Sequence, residues 1–240
     1  PRPRTLLLAA LLVLAMGTLP TTTLVRNSFP QVSGAGARFS AHFITSIVAR
    51  VPRADLDPKG ELGELELAAC YVAGKKTWTQ QFHIQLSALS DRDPAKNAGT
   101  ALRYMPDVVA TASMAQLESS EEHIVFVCAV LGELGSRNPE TWFRANPDDP
   151  DPTTSSLLRV KETALDRETW DLMDDSTFGV LEKVLSPGGA GRVEYWHGAP
   201  DTGSWAATRP TAVERRVDAL VHESSTLHIG ADAHAPVGLD

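Results

Sequence analysis

Several things are scarce in this 240-residue sequence, and each scarcity excludes something. There are two cysteines, Cys70 and Cys128, too few for a disulfide-dense scaffold or a four-cysteine zinc site. Positive charge is not in excess: 22 Lys and Arg stand against 30 Asp and Glu, a net charge of -8. A nucleic-acid partner is therefore not expected, because that binding needs a basic face that releases phosphate counterions. Aromatics make up only 6%, which leaves the core to Leu, Val and Ala. No apolar run of about 18 residues follows the N-terminus, so no membrane-spanning helix is expected there. Gly-x-Ser-x-Gly, a phosphate loop and Gly-x-Gly-x-x-Gly are all missing. With 17 Gly and 16 Pro, collagen-like and low-complexity classes are excluded too.

What is present is enough for a packed core, since 42% of residues are hydrophobic. Residues 1–22 have the layout of a secretory leader: Arg2 and Arg4, an apolar run from Leu6 to Met16, then small and polar residues. That layout predicts a location outside the cell or on the extracellular face of its membrane. An oxidising compartment would permit a disulfide. Whether Cys70 and Cys128 pair is left open by the sequence, because pairing depends on their separation in space.

Residues 39–51, 64–73 and 77–89 are rich in β-branched and aromatic side chains and read as strands. Gly74-Lys75-Lys76 reads as a tight turn between the last two. Residues 91–104 read as a helix, with Asp93 as N-cap and Pro94 at its first position. After residue 105 the texture becomes short strand-like runs separated by polar turns, including HIVFVCAVLG, TWFRA, LLRVKETAL, STFGVLEKVL and GRVEYW. This spacing predicts an all-β sandwich. A helical patch, TAVERRVDALVHE, places Val213, Val217, Leu220 and Val221 on one face near the end. The expected organisation is thus a leader at 1–22, an α+β domain at 38–104, a β-sandwich at 105–205 and a tail with a short helix at 206–240.

Residues 106–144 resemble the opening of a constant-type immunoglobulin domain. The matching positions are Pro106, Val108, Cys128 and Trp142. Arg192, Val193, Glu194 and Trp196 are similar to a later run of major histocompatibility complex class II α chains. Upstream, Tyr71, Val72, Lys75, Lys76 and Trp78 resemble a turn of the class II α1 sheet. The resemblance implies an α+β groove-like N-terminal domain followed by an all-β immunoglobulin-like sandwich. It implies a peptide-presenting subunit with a partner protein chain, a peptide as ligand and no cofactor. It implies that Cys128 and Trp142 share one core, and that Asn97 binds the main chain of the peptide. An amide suits that role because it offers both a donor and an acceptor. A second immunoglobulin reading, of variable type, pairs Cys70 with Cys128.

The competing expectation is catalytic. Residues around Asp201 resemble the late part of metallo-β-lactamase-like hydrolases, and His222, His228 and His234 recur every six residues. In that reading Asp201 and the three histidines hold a metal. Against it, spacing of six does not align side chains on one helix face. Asp201-Thr202-Gly203-Ser204 also reads as a plain turn. The acidic, Pro-rich stretch 146–156 reads as a solvated loop, and Trp142, Trp170, Trp196 and Trp205 as core or interface residues. On balance the sequence favours a binding protein over an enzyme.

Overall fold

In Ser40–Pro52 (β1) every second residue from Ala41 to Val51 is buried, the period-two pattern of a strand with a covered face. His123–Glu133 (β4) is buried continuously from Ile124 to Gly132, as expected of a central strand covered on both sides. The computed structural model describes residues 13–105, 112–230 and 235–237. Pro106 and Val108 lie outside them, as do residues 1–12 of the leader-like segment and His234. The described chain is mixed α+β, with a mostly antiparallel sheet of seven strands.

Two compact units are formed by interleaved segments. One comprises residues 41–135 and 162–222; the other comprises 1–40, 136–161 and 223–240. The boundary expected near 104–107 falls inside the first of these.

The larger unit is built on the sheet. Its strands follow the order β2 (Leu65–Thr77), β3 (Gln80–Asp91), β4, β1, β7 (Glu194–His197), β8 (Ser204–Ala206), and β9 (Arg216–Ser224) also pairs with β1. The helix Pro94–Tyr104 lies where the sequence places it, and the Asp93 side chain accepts from the Lys96 N–H. Its Ala101, with Met105 and Leu117, closes a cluster over Val48, Leu89, Val125 and Val127 on one face of the sheet.

The helix Ala164–Lys183 covers the opposite face, in place of the strand expected from STFGVLEKVL; the run LLRVKETAL starts in the strand Ser156–Arg159 and only its last two residues enter the helix. It starts at a reciprocal cap: the Asp166 N–H donates to the Thr163 hydroxyl, and Asp166 accepts from the Thr163 N–H. Trp170, Met173, Thr177 and Leu181 recur at spacings of three and four and are all buried. That period belongs to a helix, and it outweighs the β-propensity of Phe178, Val180 and Thr177. The expected terminal helix is likewise reduced to one turn, Ala212–Arg215, before the chain enters β9.

A buried ionic node joins this helix to the sheet. Asp174, 1% exposed, accepts from the Thr45 hydroxyl at 2.6 Å, from Arg215 Nε at 2.9 Å and from Arg216 Nε at 3.0 Å. Trp170 Nε1 donates to the same Thr45 oxygen at 2.8 Å. Further along, Glu182 accepts from Arg209 and from the Tyr195 hydroxyl. Arg209 holds the Glu182 carboxyl below the usual range, while burial raises the Tyr195 phenol.

The two cysteines are free. In the sheet register Cys70 pairs with Leu86, and Leu86 with Cys128, so a whole strand separates them. Two strand spacings amount to about 10 Å, beyond the reach of a disulfide. The variable-type pairing is therefore not formed. The turn expected at Gly74-Lys75-Lys76 lies further on, at Trp78-Thr79; β2 runs through with an irregularity between Lys75 and Thr77.

The smaller unit contains the helix Thr18–Ser28 and the hairpin of β5 (Trp142–Ala145) and β6 (Ser156–Arg159). Thr22 and Thr23 are buried, hydrogen-bonded to Thr226 and Ser156. The helix thus overlaps the segment expected to be leader, over residues 18–22. Gly36 has a φ of +83°, and a Cβ there would fall 1.9 Å from the Phe143 carbonyl oxygen, so only glycine fits. Residues 146–156 form an acidic loop whose Asp149 and Asp151 side chains accept from nearby backbone N–H groups.

Candidate functional site

The helix Pro94–Tyr104 and the β7–β8 hairpin flank the same face of the sheet, and a groove of about 520 Å³ lies between them. Ser46 and Val48 of β1 form its floor. Leu102 lines it from the helix, and Ser113, Gln116, Trp196 and Asp201 are among its other lining residues. Asp201 sits in the turn that links β7 to β8, where the Thr202 N–H donates to the Ala199 carbonyl at 3.2 Å. Gly203 closes that turn; a Cβ there would meet the His197 carbonyl oxygen at 2.1 Å.

Aromatic and charged groups frame the groove. Trp196 packs edge-on against Trp205 with ring centroids 5.1 Å apart, and Trp196 Nε1 donates to the Ala199 carbonyl. The Arg50 guanidinium lies 4.6 Å from the Trp205 ring centroid and pairs with Glu194. Glu214 also reaches the groove. Thr211, donating from its N–H and its hydroxyl, together with His197, holds the Glu214 carboxyl at about 2. The groove therefore carries negative charge at neutral pH.

The expected site residues are placed as follows. Asn97 lies on the helix, but its amide donates to Asp91 Oδ1 at 3.0 Å and ties the helix to the end of β3; it is not one of the groove-lining residues. Cys128 is buried on β4 of the larger unit, and Trp142 stands on β5 of the smaller unit. Burial pushes the Cys128 thiol up to about 12, which makes it chemically inert. Asp201 lines the groove, His222 lies on β9, and His228 belongs to the smaller unit. Among the described residues, no group of three or more His, Cys, Asp and Glu side chains is arranged to hold a metal ion.

No family model matches this chain, and no curated protein does. The groove and its surroundings are therefore interpreted from their own chemistry.

One constellation escaped sequence reasoning. His222 meets His42 Nδ1 to Nδ1 at 3.1 Å, and the His83 ring stands edge-on to His42 with centroids 5.7 Å apart. These residues are far apart in sequence, and no spacing rule links them. His222 has a φ of 57°, a left-handed conformation uncommon for a side chain of this kind. Burial lowers the pKa of His42, and His222 and His83 lower it further; burial and then His222 lower that of His83. His123 is also lowered, first by burial and then by Arg50.

A pH dependence follows from these shifts. Above about pH 6.5 these imidazoles are neutral both folded and unfolded. As pH falls, the unfolded chain takes up protons first, so the folded state loses stability below about 6.5. The urea midpoint should drop between pH 7.5 and pH 5, and His42→Gln should reduce that drop. A midpoint that is flat or rises toward pH 5 would contradict this account.

Proposed function

We propose that this chain is a binding protein that holds an extended peptide in the groove between the helix Pro94–Tyr104 and the β7–β8 hairpin. The observation that carries the reading is the groove itself: a sheet floor at Ser46 and Val48, a helical wall at Leu102, and an indole beside a carboxylate at Trp196 and Asp201. Apolar groups such as Val48, Leu102 and Trp196 interspersed with a few polar ones are the usual make-up of a ligand site. Trp196 offers a face to a cation, Asp201 an opposite charge, and the chain as a whole is acidic, so a basic peptide fits best.

The finer readings belong to the same proposal. An immunoglobulin-superfamily subunit with a partner chain, secreted or on the extracellular face, is supported by the leader-like N-terminus and by the resemblance at 106–144 and 192–196. An immunoglobulin-like sandwich at 105–205 has to accommodate the helix Ala164–Lys183. No described helix is long and apolar enough to cross a membrane.

The test is a fluorescence titration of the full chain with pools of basic and acidic nonapeptides. Saturable binding of the basic pool is expected. Trp196→Ala should weaken it roughly tenfold or more, and Asp201→Asn severalfold. Equal binding of the two pools, or no loss in either variant while the melting curve is retained, would remove the proposal. One equivalent of zinc in protein purified without a histidine tag would favour the metal-dependent hydrolase in its place.

A further inference from the structure

Among the described residues the sheet ends at β2 with no further strand beside it. Among the described residues β2 pairs only with β3, and none of its thirteen residues is buried. Proteins commonly protect such an edge with charges, prolines or a covering element, because its free N–H and C=O groups template another strand. Here the charges stand at the two ends of the strand: Glu64 and Glu66 at its start, Lys75 and Lys76 near its finish. Between them, Leu67 to Gly74 carries no charge, with Tyr71 64% exposed and Cys70 exposed.

We propose that β2 is the docking edge for a second copy of this chain, paired antiparallel about a two-fold axis at Cys70. The strand is self-complementary in that arrangement. Cys70 faces the second copy's Cys70, and Glu66 comes diagonal to its Lys76, the extra residue at the irregularity between Lys75 and Thr77; Glu64, just before the strand, stays paired with Lys96 of its own chain at 3.0 Å. Leu67 faces Ala73. The two largest central side chains each meet a small one, Tyr71 facing Ala69 and Val72 facing Ala68. Centring the axis on Tyr71 instead would set two phenol rings against each other. Acidic and basic ends that meet only in the antiparallel sense select orientation as well as partner. The two-fold arrangement is the commonest closed symmetry of soluble oligomers.

Cys70 reports the register. Oxidised glutathione added to the dimer would convert the two Cys70 thiols to one disulfide, releasing two molecules of reduced glutathione through a mixed-disulfide intermediate. Cys128 is too deeply buried to compete.

Sedimentation of the full chain under reducing conditions tests the pairing. A dimer is expected, weakened by added salt. Lys76→Glu should weaken it severalfold, as should Glu66→Lys, and the two changes together should restore it. On a non-reducing gel, oxidised glutathione should give a covalent dimer that Cys70→Ser abolishes. A chain that stays monomeric at all concentrations overturns the proposal. So does a dimer indifferent to both charge reversals, or one that oxidation never cross-links through Cys70.

Discussion

Replacing Asp174 by alanine should cost about 3–5 kcal/mol, the range for removing one partner of a buried ion pair. The carboxylate is 1% exposed and accepts from Thr45, Arg215 and Arg216. Without it the largely covered Arg215 guanidinium loses its counter-charge, Arg216 is left with Asp171 alone, and the Thr45 hydroxyl loses its acceptor. A typical domain is stable by only about 5–15 kcal/mol, so a large share of the total would go. Asp174→Asn keeps an acceptor for Thr45 and should cost less than alanine. Urea unfolding of the two variants checks this. If both lie within about 1 kcal/mol of the parent, the node is not what joins the helix to the sheet.

Phe43→Ala should be about as severe, again about 3–5 kcal/mol, through loss of apolar burial and the cavity left behind. Phe43 is buried on β1 and stacks on Trp170 with centroids 4.7 Å apart. It fits because β4 carries glycine beside it. A Cβ at Gly132 would stand 2.3 Å from the Phe43 ring and 2.9 Å from the Met173 sulfur. Gly132→Ala should therefore cost about 1–3 kcal/mol by overpacking. Combining it with Phe43→Leu should cost less than the two single changes added together. Strict additivity in this cycle would show that ring and glycine do not share the space described.

How much of this was legible beforehand depended on the range of each signal. β1, β3 and β4 announced themselves through β-branched and apolar runs, and the helix Pro94–Tyr104 through Asp93 and Pro94, which act on the nearest turn. The helix Ala164–Lys183 was missed because its C-terminal part was read as a strand, STFGVLEKVL. The recurrence of Trp170, Met173, Thr177 and Leu181 appears only over a longer window. At the junction of the turn Ala212–Arg215 with β9, the arginines that Asp174 anchors and the pairing with β1 overrode a helical pattern. Of the candidate site, Asp201 and Trp196 were marked but assigned other work, and Asn97 proved to be a brace for Asp91. His42, His83 and His222 meet only through sheet register, which no local pattern encodes.

The interleaving of the two units bears on how the protein is made. The smaller unit includes Thr226, which bonds Thr22 through its hydroxyl and Gly36 through its carbonyl. On a ribosome those early residues emerge long before Thr226 is synthesised. They must wait, unsatisfied, while nearly the whole chain passes the exit tunnel, and such contacts between distant positions slow folding. Nascent-chain arrest before residue 223 should leave Thr22 and Gly36 open to proteolysis, however far the seven-stranded sheet has already assembled.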